Sequence, residues 1–174
     1  MNTISSFAPL LNESTEILIL GSMPGVASLK ASQYYAHPRN AFWPLLADLL
    51  EFDLRAGYDE RVLALRERGV GLWDVLASCE RPGSLDQAIN AASIQLNPLA
   101  DLLDDCPKLS CPKLMRVLTN GASASRLFER HCLPAMRTRR PNLDWHALPS
   151  TSPANADWSL ARKRAAWAQA LQRL

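Results

Sequence analysis

Four short apolar runs alternate with segments of helical periodicity, and that alternation limits the chain to few folds. The first run, EILIL (16–20), is closed by Gly21 and reads as a buried strand. VGLWDVL (70–76), KLMRVLTNG (113–121) and NLDWHALP (142–149) read as three more. Between the first two, AFWPLLADLL (41–50) and YDERVLALRERG (58–69) carry apolar residues at helical spacing, and the second stops at Gly69. NPLADLLDDC (97–106) reads as a helix with Asn97 as cap and Pro98 in its first position. ASASRLFERHC (122–132) reads as a further helix, and ADWSLARKRAAWAQALQRL (156–174) as a long final one. The final helix's apolar side is expected to carry Leu160, Ala161, Ala165, Trp167, Ala168, Leu171 and Leu174. Strands and helices in alternation predict an α/β fold, a three-layer α/β/α sandwich with a four-stranded parallel sheet. The 174 residues fit one domain, 1–174, with no dividing linker. The tandem CPKLS/CPKLM (106–115) is too short for a repeat architecture and reads as a proline-rich connection.

A parallel sheet delivers its functional loops at the C-terminal ends of its strands. Here those loops are GSMPG (21–25), DVLASCERPGS (74–84), TNGAS (119–123) and PSTSPAN (149–155). All are rich in residues suited to tight turns and close backbone approach. GSMPG is either a structural turn or a loop whose N–H groups cradle a ligand; no Gly-Lys-Ser/Thr follows, so a nucleoside triphosphate site is unsupported. Asp74 ends the second strand, where it caps the next turn or points into a site. Nucleophilic catalysis lacks a signature, since there is no G-x-S-x-G. His146 reads as a satisfied core histidine, and His131 suits a helix C-terminus. Cys79, Cys106, Cys111 and Cys132 form no Cys-x-x-Cys pair and read as reduced thiols, so no metal is expected. The net charge of +2 excludes a polybasic protein and leaves local patches at RTRR (137–140) and RKR (162–164), which are DNA contacts or solvated faces. No apolar stretch reaches the ~18 residues of a membrane span, and the N-terminus lacks signal-peptide character, so a cytoplasmic location without membrane contact is expected.

One run remains: QYYAHPRNAFW (33–43). Asn40 suits an N-cap for the helix that follows, and Phe42 and Trp43 can anchor the loop to the core. Tyr34 and Tyr35 cannot both be core in an extended loop. A tyrosine ring near a strand end is a platform for a base or a sugar.

Together these residues resemble the uracil-DNA glycosylase superfamily. ILILGSMPG followed by YYAHPRNAFW is similar to the first motif of the mismatch-specific uracil-DNA glycosylases. LPSTSPAN (148–155) is similar to the superfamily's second motif, a Pro-Ser turn after the last strand. GLWDVLASCERPGSLDQAI (71–89) resembles the hypoxanthine-DNA glycosylase branch. Two positions depart from the pattern. Met23 stands where much of the superfamily has Asp or Asn, and Leu148 stands where a His or Asn often precedes Pro-Ser. The resemblance implies that the catalytic role passes to Asn40. An amide is no base at neutral pH, but it orients water and its dipole stabilises a cationic sugar.

The resemblance also implies the remaining roles. Tyr35 stacks on the flipped base, Asp74 reads its edge, and Gly21, Ser22, Met23 and Gly25 line the pocket. His37 and Arg39 face DNA. Ser150, Thr151 and Ser152 contact phosphates, and Pro153 to Asn155 form a wedge. No lysine in these loops offers a Schiff base, provided Lys30 points away. The expectation is a monofunctional glycosylase of base excision repair, without cofactor, acting as a monomer on double-stranded DNA that carries a deaminated base, most of all hypoxanthine. Single-stranded DNA is a second candidate substrate. The rival readings are a uracil or mismatch glycosylase, a non-catalytic lesion-binding module, and a hydrolase of free nucleosides.

Overall fold

The computed structural model describes residues 3–104 and 110–172. After a short N-terminal strand, β1 (Thr3–Ser5), the chain enters the main sheet at β2 (Ile17–Gly21). Helices α1 (Val26–Ala31), α2 (Phe42–Leu50) and α3 (Tyr58–Glu67) lead to β3 (Val70–Asp74). The chain then forms β4 (Leu76–Glu80), β5 (Gln95–Leu96) and a 3-10 turn at Leu99–Leu103. Strand β6 (Arg116–Asn120), helices α4 (Ala122–His131) and α5 (Leu133–Arg139), strand β7 (Asp144–Leu148) and helix α6 (Leu160–Leu171) complete it. The main sheet is parallel throughout, in the order β3-β2-β6-β7.

Alternation within each strand sorts side chains between two layers. Ile19, Val70, Leu72 and Leu118 face the layer built by α2, α3 and α6, among Phe42, Trp43, Leu46, Leu65 and Trp167. Leu18, Leu20, Trp73 and Val117 face the opposite layer, among Leu99, Leu102, Phe128, Leu133 and Met136. This is the expected α/β/α sandwich around a four-stranded parallel sheet. Its strand order reverses between β2 and β6, which opens a crevice at their C-terminal ends.

Several expected elements differ. The run read as one strand over 70–76 leaves the main sheet after Asp74, and β4 then pairs antiparallel with β1 and β5 in a second, three-stranded sheet. The backbone of residues 75 and 76 turns there by donating to the carbonyls of Gly21 and Ser22. Of the helix expected over 97–106, the described residues 97–104 form only the 3-10 turn, because the Asn97 side chain donates instead to the carbonyls of Asp74 and Leu76 at 2.9 and 3.1 Å. Cys106 lies outside the described residues, whereas Cys79, Cys111 and Cys132 are buried free thiols. The last helix starts at Leu160, after the Ser159 hydroxyl caps it by accepting from Arg162 N–H. Its buried side is Lys163, Trp167, Ala170 and Leu171, so Leu160, Ala161 and Ala165 are exposed; Leu174 lies outside the described residues. His146 is half-buried rather than core and pairs with Asp144 at 3.0 Å. Among the described residues no helix is long and apolar enough to cross a membrane.

Candidate active site

A cleft of about 1080 Å³ opens where the four parallel strands end, at Gly21, Asp74, Asn120 and Leu148. Thirteen residues expected from the sequence line it: Gly21, Ser22, Met23, Gly25, Tyr35, His37, Asn40, Asp74, Ser150, Thr151, Ser152, Pro153 and Asn155. Arg39 does not; it is exposed, and its N–H donates to His37 Nδ1 at 3.1 Å. That bond makes Nδ1 an acceptor, so the proton of a neutral His37 ring sits on Nε2.

Asp74 is paired with Gly21 across the sheet and is 2% exposed. A Cβ on Gly21 would fall 2.5 Å from Asp74 Oδ1 and 3.4 Å from the Tyr35 hydroxyl. Glycine is required there to let the carboxyl group and the phenol share the strand end. The other oxygen, Oδ2, accepts from the Ser6 hydroxyl at 2.7 Å. Burial pushes the Asp74 carboxyl up to about 7, against the bond from Ser6 and the nearby Tyr34 hydroxyl, which itself has no hydrogen-bond partner among the described residues.

The aromatic loop is held from several sides. Trp43 Nε1 donates to the Tyr34 carbonyl at 2.9 Å, and Tyr34 packs in the core against Phe7. Tyr35 adopts a left-handed backbone, φ 56°, which a non-glycine residue keeps only where its surroundings over-determine it. Its ring stacks on Phe42 at 3.7 Å and 16°, so one face is backed by the core and the remainder borders the cleft. Phe42 therefore does more than anchor the loop. Burial holds the Tyr35 hydroxyl well above the ordinary phenol range, and the negative charge of Asp74 adds to this. Asn40 Oδ1 accepts from the Phe42 N–H at 3.0 Å. The N-cap of α2 is Ala41, so Asn40 stands one residue before the cap position expected for it; its bond to the first helical N–H nevertheless fixes the amide's orientation at the cleft.

Asn120 was missed by the sequence reading. It ends β6 as Asp74 ends β3, and that shared position was the available signal. Its amide binds Thr151 twice and lies beside the Tyr35 hydroxyl. Thr151 is consequently 1% exposed, and its hydroxyl accepts from Asn120, so it braces the loop and offers DNA no exposed side chain. Ser150 and Ser152 are half-buried and Pro153 is exposed. Gly121, at φ 100°, lets the Ser150 side chain pack against its backbone, where a Cβ would lie only 2.9 Å away.

Arg81 was also missed. Its fully buried guanidinium donates to the carbonyls of Met23, Pro24 and Gly83 and pairs with Asp86 at 3.3 Å. Asp86 in turn accepts from the Ser22 hydroxyl at 2.6 Å. This clasp fixes the GSMPG loop from behind.

Among the described residues, most cations of the two basic runs, though not the exposed Arg137, have partners within the fold. In RKR, Lys163 is 6% exposed and donates to the Asn155 carbonyl at 2.9 Å, Arg164 pairs with Asp48 at 2.6 Å, and Arg162 lies over the Trp158 ring at 4.3 Å. In RTRR, Arg139 pairs with Asp104 and Asp101, and Arg140 donates to the carbonyls of Pro112 and Leu114. These contacts tie Lys163 to the loop and Arg139, Arg140 and Arg164 to the fold. The cation on the cleft wall is instead the exposed Arg126, from α4.

With this geometry established, comparison with known proteins is decisive. The profile of the uracil DNA glycosylase superfamily matches residues 8–174. The chain belongs to this superfamily. It is 37% identical over 169 residues to the hypoxanthine DNA glycosylase of Methanosarcina barkeri, covering 96% of this chain and 97% of that one. To the hypoxanthine DNA glycosylase of Methanosarcina acetivorans it is 35% identical over 158 residues, covering 90% and 91%. The solution NMR structure of a uracil DNA glycosylase candidate from Methanosarcina acetivorans superimposes with a TM-score of 0.80 at 31% identity, covering 98% of this chain and 97% of that one. The family expected from the motifs is thereby met, and with it the enzyme class, a DNA glycosylase.

Proposed function

We propose that this glycosylase is a single-domain, monofunctional monomer that removes hypoxanthine from damaged double-stranded DNA in the cytoplasm. The observation that carries this reading is the convergence of Tyr35, Asn40 and Asp74 on one cleft. A flipped nucleotide enters with its base over Tyr35, whose ring is backed by Phe42. The N1–H of hypoxanthine donates to Asp74 Oδ1. Undamaged adenine presents a bare acceptor at that position, which a carboxylate repels.

Breaking the N-glycosidic bond sends its electron pair to the base and leaves an oxocarbenium-like sugar. Such a centre needs only a weak, well-placed nucleophile. Asn40 Oδ1 has one lone pair engaged by Phe42 N–H and a second free to hold water at the sugar. The water oxygen bonds to C1′, and its released proton neutralises the base anion through solvent. Met23 and Leu148 are both nearly buried in the cleft lining and supply no water-activating group. Among the described residues no lysine lines the cleft, which supports hydrolysis without a Schiff base.

Uracil is the second reading, because its N3–H presents the same donor to Asp74. The test is excision from duplexes that each carry one deoxyinosine, deoxyuridine, deoxyxanthosine or thymine mismatch, and from single-stranded deoxyinosine, with alkali to cut abasic sites. Fastest release from deoxyinosine supports the reading. Preference for deoxyuridine moves it to the second, and no release from any substrate by folded enzyme overturns both.

A further inference from the structure

Ser6 lies outside the segment that the superfamily profile matches, yet its hydroxyl donates to Asp74 Oδ2 at 2.7 Å. Its position is fixed on several sides. Ser6 N–H donates to the Ala77 carbonyl at 2.8 Å, and the Phe7 carbonyl accepts from Trp73 Nε1 at 3.1 Å. The Phe7 ring meets Tyr34 edge-on at 5.1 Å. The N-terminal segment is thus sewn into the strand that carries Asp74. One carboxyl group has its two oxygens divided: Oδ2 is held by the protein, and Oδ1 lies toward Gly21 and the Tyr35 hydroxyl in the cleft lining.

We propose that Ser6 is a positioning residue for base selection, which occupies Oδ2 so that Asp74 offers the base a single oriented acceptor and is biased toward its accept-only form. This rests on Asp74 contacting the base. The chemistry makes the form of Asp74 decisive. An ionised carboxylate accepts from hypoxanthine N1–H, whereas a protonated carboxyl donates, and undamaged adenine N1 accepts.

The groups that face Asp74 come from each neighbouring element. They are Ser6 from the N-terminal segment, Tyr34 and Tyr35 from the aromatic loop, and Arg81 and Asp86 from the segment after β4. Burial and the Asp86 charge favour the neutral acid. Against them stand the bond from Ser6, the nearby Tyr34 hydroxyl and the charge of Arg81, which favour the carboxylate. Ser6 is the closest of these donors and the one a single substitution removes without touching the aromatic loop.

The experiment is single-turnover excision from a deoxyinosine duplex across a pH series, with deoxyuridine and undamaged adenine duplexes alongside. Wild type is compared with Ser6→Ala, Ser6→Cys, Ser6→Thr and Asp74→Asn. Ser6→Ala should move the acid limb of the rate profile to higher pH, so that its deficit is about tenfold on the acid side and narrows toward alkaline pH. Ser6→Cys, a weaker donor of similar shape, should shift the limb the same way and serves if the alanine form does not fold. Ser6→Thr should restore the wild-type profile. A superimposable Ser6→Ala profile, or a deficit independent of pH that threonine fails to repair, overturns the role of Ser6. Asp74→Asn separates the two claims. If it keeps the wild-type rate and base preference, the reading of Asp74 itself fails; if it loses them while the serine variants behave as wild type, only Ser6 falls.

Discussion

Asn120 and Thr151 are joined by two hydrogen bonds: the Asn120 Nδ2 donates to Thr151 Oγ1, and Thr151 N–H donates to Asn120 Oδ1, both at 2.9 Å. The pair ties the loop after β7 to the end of β6, and the Thr151 carbonyl accepts from Ala41 N–H at the start of α2. Two loops of the cleft therefore meet at one buried residue. Asn120→Ala leaves a hydroxyl and an amide N–H unpaired there. Chemical denaturation should show a loss of about 1–3 kcal/mol. Steady-state kinetics should show a raised KM, because the loop that borders the cleft is released.

Arg81 gives a larger effect. It is buried and bonds three carbonyls and one carboxylate. Arg81→Leu removes one partner of a buried pair and frees the GSMPG loop. The expected loss is about 3–5 kcal/mol in urea denaturation. Asp86→Asn should be milder, because Asp86 is partly exposed and the amide oxygen still accepts from Arg81 while its NH2 can donate to the Ser22 hydroxyl oxygen.

Asp74 makes a pH-dependent prediction of opposite sign to the usual carboxylate. Its folded-state value, raised by burial to about 7, lies above the ordinary ~3.9 of an unfolded chain. The folded state therefore binds the extra proton between those values. The stability this group contributes is fully present below about pH 4 and is lost as pH rises through about 7. Asp74→Asn should be more stable than wild type at and above neutral pH, by on the order of a few kcal/mol, with the gain fading as pH falls. Denaturation midpoints across the pH series check it.

Salt dependence separates cations that face DNA from those that hold the fold. Arg126 is exposed on the cleft wall, whereas Arg164 is paired with Asp48 at 2.6 Å. Arg126→Ala should weaken duplex binding and lower the slope of log affinity against log salt by about 1. Arg164→Ala should leave that slope unchanged. Fluorescence anisotropy over a salt series measures both.

The parallel sheet was legible because Ile17–Gly21 and Val70–Asp74 are continuous apolar runs, as strands buried on both faces must be. The cleft residues were legible because turn chemistry concentrates at strand ends. The second sheet was not, since Thr3–Ser5 and Gln95–Leu96 are too short for a periodic signal. Helix α5 was hidden by a proline next to its start, where the ring is in fact tolerated. The partners of the basic runs were not legible either. Arg164 finds Asp48 across 116 residues of chain, and no local pattern announces such a pairing.

The central claim is that Asn40 holds the attacking water, and single-turnover excision of hypoxanthine by Asn40→Ala tests it most directly. The variant should still bind the deoxyinosine duplex with affinity close to wild type, while the rate of base release falls by about 100-fold or more. Release at the wild-type rate by a folded Asn40→Ala enzyme would contradict it.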